Sequence, residues 1–278
     1  MHKLILLSSI ALGALTANAF ASDLPTKKGP PPAPTMVIAP FSWAGFYVGV
    51  NGGYADPTAK LSVTPGSGWG GPPVDPDWPG VAAAGSANLG LHGFIGGAQA
   101  GYNYQINSIV LGVEADADYM NLKGSYATPI FNGVSRNNGT YWANGSASLD
   151  SLFTLRGRAG FAFDRLLVFA TGGLAITGEK FSQSICFRSQ VLNLPNTGGA
   201  VGCNAGSASS TVVTGVVGGG LEYAFDNHWS LKGEYLYVPL KSENFSSTYV
   251  SGGNWTIQHH ESLSALNVFR VGLNYRLP

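Results

Sequence analysis

Charge is what this sequence has least of. Only 11% of its 278 residues are Asp, Glu, Lys or Arg, against about 25% in ordinary soluble domains. Acids and bases cancel at 15 each, so nothing in the balance draws the chain toward nucleic acid. Past the first residues there is no run of about 18 unbroken apolar residues, which argues against helical membrane spans. Cysteine is confined to Cys186 and Cys203. Two thiols without a nearby histidine make a poor metal site. In an oxidising compartment such a pair is expected to form a disulfide that staples the segment between them. Glycine is the surplus residue: 39 of them, about twice the usual ~7% share.

What fills the chain instead is alternation. In Leu266–Leu277, reading LNVFRVGLNYRL, the residues Phe269, Val271, Leu273, Tyr275 and Leu277 are apolar. Arg270, Gly272, Asn274 and Arg276 stand between them. That is the period of two of a strand with one oily and one polar face. The pattern recurs over Gly45–Ala55, Leu91–Ile106, Ile109–Asn121, Leu152–Phe163, Leu166–Thr177, Thr211–Phe225 and Trp229–Leu240. Very short turns at Asn107-Ser108, Asp164-Arg165 and Asp226–His228 alternate with long polar stretches at Asp56–Gly90, Leu122–Asp150, Gly178–Ser210 and Lys241–Glu261, read here as loops. This asymmetry predicts an all-β fold, an eight-stranded antiparallel up-and-down transmembrane β-barrel with lipid outside and a polar interior. Aromatics gather at the strand ends beside the short turns, at Tyr102, Tyr104, Phe161, Phe163, Tyr223, Phe225, Trp229 and Tyr275, where an interfacial girdle is expected.

The amino end reads as a secretory leader. Lys3 precedes the apolar run Leu4–Leu15, and Ala19-Phe20-Ala21 is a small-x-small cleavage site, so residues 1–21 are expected to be removed. Residues 22–40 hold Pro25, Pro30, Pro31, Pro32, Pro34 and Pro40 and read as an extended periplasmic linker. The barrel is then expected over 41–278.

The same alternation assigns an interior. Glu114, Asp116, Asp118, Glu222 and Glu234 should face inward with Arg156, Arg158, Lys232 and Arg270. Eight strands leave a lumen just wide enough for side chains, and an unpaired buried charge is costly, so these groups are expected to pair into a side-chain-filled plug. Interior glycines leave open the alternative of a small porin-like channel for ions or small solutes. His259-His260-Glu261-Ser262 at the outer rim suggests two further alternatives, a lipid-modifying enzyme or a haem or metal site. By alternation from the last strand, His260 and Ser262 should face the lumen, and no carboxylate follows to orient the histidine. No catalytic residue, metal or cofactor is therefore assigned.

Several stretches carry a family likeness. They are Asp23-Leu24-Pro25, Trp43-Ala44-Gly45-Phe46-Tyr47-Val48-Gly49, Gly218-Gly219-Gly220-Leu221-Glu222-Tyr223, Lys232-Gly233-Glu234-Tyr235-Leu236-Tyr237 and Arg270-Val271-Gly272-Leu273-Asn274-Tyr275. With these the chain resembles the alphaproteobacterial outer membrane immunogenic protein, or porin-like, family, whose domain is an eight-stranded outer-membrane barrel. The resemblance implies residence in the outer membrane, exposed surface segments and a structural or interactive role in the envelope. Outer-membrane lipid, lipopolysaccharide and the barrel-insertion machinery are then the expected partners. The last strand also resembles the assembly signal of such barrels, with Arg270, Gly272, Tyr275 and Leu277 at the matching positions, although Pro278 replaces the usual final aromatic.

Overall fold

The computed structural model describes residues 41–67, 78–132, 140–188, 201–250 and 254–278. The expected leader and linker, 1–40, lie outside the described residues. In chain order the strands are β1 (Gly45–Ala55), β2 (Thr58–Pro65), β3 (Ala87–Gly90), β4 (Gly93–Ile106), β5 (Ile109–Ala127), β6 (Phe131–Asn132), β7 (Thr140–Phe163), β8 (Leu166–Arg188), β9 (Val201–Ala224), β10 (Trp229–Val238), β11 (Ser242–Val250), β12 (Asn254–Leu263) and β13 (Leu266–Arg276). One short helix, α1 (Trp78–Ala84), lies between β2 and β3.

Eight strands pair antiparallel in the order β5-β4-β1-β13-β10-β9-β8-β7, and β7 returns to β5 to close the ring. The seam joins the first strand to the last, with Val48 opposite Tyr275 and Gly53 opposite Arg270. Closure leaves no barrel strand with an unpaired edge, the condition for backbone in lipid. The short turns hold because Asn107 and Asp164 sit at φ 53°, a left-handed conformation that Asn and Asp adopt more readily than other residues with a Cβ.

Side-chain exposure follows the pleat. Phe46, Val50, Leu111, Val113, Leu155, Val217, Leu221, Phe269 and Val271 are exposed, while the polar residues between them are buried. An apolar belt about 11 residues tall thus faces outward, from Ile109 to Tyr119 on β5 for example, enough for a tilted strand to span the hydrocarbon. Besides the aromatics near the short turns, a second band holds Tyr54, Phe94, Tyr119, Phe153, Tyr237 and Phe269 at the opposite rim.

Above the belt the structure departs from the reading of four long loops. The segments Leu122–Asp150 and Gly178–Ser210 are largely strand, because β5, β7, β8 and β9 run on well past the belt. Asp56–Gly90 and Lys241–Glu261 supply the second sheet, β11-β12-β2-β3. That sheet repeats the ring order of β10, β13, β1 and β4, the strands it continues from, and it packs against β9 at one end and β5 at the other. The wall therefore rises as a second storey. It bends at Asp56-Pro57 and Pro239–Lys241 and slips register near Met120–Asn121 and Asp150–Ser151. Proline cannot donate to a ladder, and bulges turn a strand, so these are the natural fold lines. Cross-links tie the storeys together: the Leu91 amide donates to the Pro57 carbonyl at 2.9 Å and the Ser264 amide to the Thr58 carbonyl at 2.8 Å. Inside the upper storey Val63, Tyr141, Ala143, Ile185 and Ile257 pack with Trp78, Val81 and Ala84 of α1.

Candidate functional site: a sealed charge network and the storey above it

Each charge assigned to the interior is buried inside the ring. Arg156 is the hub. It contacts Glu114, Asp116 at 2.8 Å and Glu234 at 2.7 Å, and its Nε donates to Thr154 at 2.9 Å. Arg270 reaches Asp118 at 2.7 Å, Asp116 at 3.1 Å and Glu234 at 2.8 Å. Lys232 donates to both Glu114 oxygens at 2.8 Å. Arg158 pairs with Glu222 at 2.7 Å and lies 3.5 Å from Glu114. Sequence reasoning passed over the neutral partners. The Tyr47 hydroxyl donates to Glu114 at 2.6 Å and accepts from Arg158 at 3.0 Å. Ser230 and Asn274 donate to Glu222 at 2.6 and 2.8 Å. Their signal was present, since all of them occupy the inward phase of their strands.

Interior glycines make room for this network. A Cβ on Gly101 would collide with the Tyr47 ring, and one on Gly49 with Asn274. Large side chains lie where the glycines leave space.

Both ends of the network are closed by apolar residues. Toward the tall end, Met120, Leu152, Leu236, Val268 and Ile95 belong to one buried cluster. Each stands two positions beyond Asp118, Thr154, Glu234, Arg270 and Gly97, hence directly above them on the inner face. Toward the short turns, Trp43, Val110, Ala162, Leu167, Phe169 and Ala224 form a second cluster. Trp43, 1% exposed, is held by its amide donating to Gln105 at 2.6 Å and its indole N–H donating to the Asp164 carbonyl at 3.0 Å. The tryptophan that opens the family-like WAGFYVG stretch is thus the stopper of the lower mouth.

The upper storey has its own buried polar chain, which the sequence did not reveal. Ser247 Oγ lies 2.7 Å from His259 Nε2, and His259 Nδ1 meets the Gln183 side chain. Gln183 in turn donates to Tyr126 and, at 2.7 Å, to the Gly85 carbonyl. Phe245 stacks on the imidazole at 4.6 Å. His259 is fully buried and Ser247 nearly so, so a substrate has no access to this hydroxyl–imidazole pair in this arrangement. Burial, and secondarily the neighbouring His260, lowers the His259 pKa to about 4, which keeps the ring neutral. Glu261, also buried, is raised by burial to about 7.

The direction assigned to the rim residues is corrected here. His259 and Glu261 point inward, whereas His260 and Ser262 lie on the outer side of β12. His260 is held there by Thr64 and Asn244, each at 2.8 Å. Adjacent histidines on a strand face opposite sides, so the two rings cannot share one metal or haem. Among the described residues no group of three or more His, Cys, Asp or Glu is placed to hold a metal ion.

Cys186 and Cys203 are bonded. They stand directly opposite one another on β8 and β9, with Cα atoms 4.0 Å apart, so the bond clamps two paired strands rather than a free loop. On β13, Arg270 and Gly272 face inward and Tyr275 is half-buried, while Leu277, just past the strand, is exposed.

Known proteins with similar sequences agree with this architecture. A family profile described as "Outer membrane protein beta-barrel domain" matches residues 7–276. The 31 kDa outer-membrane immunogenic protein of Brucella melitensis biotype 1 is 32% identical over 277 residues, covering 99% of each chain. The 22 kDa outer membrane protein of Rhizobium leguminosarum bv. viciae is 28% identical over 184 residues, 62% of this chain and 70% of that one. Among solved structures, OprG of Pseudomonas aeruginosa aligns over 84% of this chain and 97% of its own at 10% identity and TM-score 0.38. Ail of Yersinia pestis aligns over 84% and 99% at 14% identity and TM-score 0.33. Matched along nearly its whole length and built as a closed ring with lipid-facing walls, the chain belongs to the outer membrane protein beta-barrel domain family and resides in the outer membrane.

Proposed function

We propose that this protein is a closed structural barrel that carries a rigid β-walled storey above the outer membrane as a surface-interaction element, and that it conducts no solute. The observation behind this reading is the sealed lumen. An ion entering it would have to displace Trp43 at one end or Met120, Leu152 and Leu236 at the other, and then break ion pairs of 2.7–2.8 Å. Buried pairs resist that disruption, because breaking one leaves an uncompensated buried charge. The tall end faces outward, because surface extensions of such barrels are long and periplasmic turns short. Insertion relies on the assembly machinery engaging β13 through Tyr275 and Leu277. A lipid-acting enzyme gains no support from His260 and Ser262, since His260 is tied to Thr64 and Asn244.

The test is planar-bilayer recording of the purified barrel. A flat baseline is expected over a wide voltage range. Discrete openings whose size follows the ions in the bath would replace this reading with the small-porin one.

A further inference from the structure

We infer that the outer wall carries a collar of lysines that binds the phosphorylated headgroups of the outer-leaflet glycolipid. Charge is scarce in this chain, so its placement is informative. Lys232 lies in the lumen, and Lys3, Lys27 and Lys28 precede the described residues. The remaining lysines, Lys60, Lys123, Lys180 and Lys241, are all exposed and all stand beyond the apolar belt on its tall side. The spacing repeats. Tyr119, Ile176 and Tyr237 are the last large outward apolar residues on β5, β8 and β10, and Lys123, Lys180 and Lys241 each follow four residues later. Lys60 follows Tyr54 by six.

Four residues span about 13 Å along a strand, or roughly 9 Å of height at a tilt of about 45°. The headgroup layer occupies roughly 5–8 Å on each side of the hydrocarbon, and lysine side chains bend toward an interface while their stems cover apolar surface. The ammonium groups of Lys123, Lys180 and Lys241 therefore fall at about the level of lipid phosphates, and Lys60, two residues further along its strand, stands above them. Hydroxyls lie between them. Lys123 stands opposite Ser148, Ser148 opposite Lys180, and Lys180 opposite Ser209. Ser125, Ser146, Ser182 and Ser207 form the next row. A row of ammonium and hydroxyl donors suits phosphate and sugar oxygens. The outward carboxylates nearby are Asp56 and Asp150. Asp150 pairs with Lys180 at 2.6 Å, but both are well exposed, and an exposed pair exchanges readily with a competing anion.

This inference rests on the tall end facing outward, which is tested separately by antibody access, on intact cells, to an epitope inserted between β11 and β12. The collar is tested on the full barrel in phosphatidylcholine vesicles containing lipid A. The K60Q/K123Q/K180Q/K241Q variant should retain at least five-fold less lipid A than the parent. The Lys→Arg counterpart should retain it normally, and dephosphorylated lipid A should be held equally weakly by all three. Retention should fall with salt, and inorganic phosphate added only at the concentration of the lipid A should not compete. Equal retention by the Gln variant and the parent, both showing folded heat-modifiable mobility, overturns the collar. So does undiminished retention of dephosphorylated lipid A. Should the Gln variant fail to fold, the salt series and the dephosphorylated lipid decide on the parent alone.

Discussion

Arg156 shows how single residues bear on the fold. Its guanidinium touches three carboxylates and is almost wholly buried. Arg156→Met keeps most of the volume but leaves those acids short of a partner. Loss of one member of a buried pair costs about 3–5 kcal/mol, so a clear fall in the urea midpoint of the heat-modifiable band is expected. The buried His259 and Glu261 make an opposed pair in pH. His259, lowered from 6.5 to about 4, contributes stability that is complete above pH 6.5 and lost as pH falls toward 4. Glu261, raised from 4.5 to about 7, contributes stability that is complete below pH 4.5 and lost as pH rises toward 7. Between 4.5 and 6.5 the slopes cancel, so protection of the upper storey in the parent is nearly flat. His259→Gln should expose a decline with rising pH, and Glu261→Gln a rise, each up to about 3 kcal/mol. Hydrogen exchange across β11 and β12 reads both, and identical flat profiles in the two variants would refute the assignment. Which residues face inward was legible from alternation alone. Which acid meets which base was not, because contacts across the lumen depend on the stagger of strands far apart in sequence.

At the scale of elements, the membrane-spanning strands announced themselves and their continuations did not. Tyr119, Ile176 and Val213 mark the last large apolar outward positions. Beyond them the outer face turns to serine, as in Ser146, Ser182 and Ser207, and such polar stretches resemble loops. The inward residues Ala143, Ala147, Phe181 and Ile185 keep the period of two, and that was the overlooked signal. The reversal of His260 has an equally local cause. Even-numbered residues face in on β13, but the bend at Ser264-Ala265 shifts the phase, so odd-numbered ones face in on β12. A one-residue slip exchanges every side chain between faces. The disulfide belongs to these continuations. Cys186→Ser with Cys203→Ser should loosen the outer ends of β8 and β9 by about 3 kcal/mol. Faster proteolysis within 179–210 with an unchanged membrane core is the expected result. Tyr275→Ala with Leu277→Ala should block insertion, and normal heat-modifiable mobility of the double variant in membranes would count against the assembly role of β13.

For the molecule as a whole, the lower stopper decides whether the lumen is a seal or a latent path. Trp43→Ala removes a fully enclosed ring, a change that costs about 3–5 kcal/mol in a packed core. The barrel should still form and still conduct nothing, because the Met120–Leu236 layer remains. Conductance in this variant would mean that the upper layer alone is leaky. The seam between β1 and β13 has a further consequence, for how copies are made. Tyr47 stands opposite Arg276, so no ring exists without β13. A prematurely terminated copy lacking β13 would also lack Arg270, and Asp116, Asp118 and Glu234 would then confront one another with too little positive charge nearby. A chain cut before Leu266 is therefore expected not to close, and faster degradation of it than of the full chain in the envelope would be the sign.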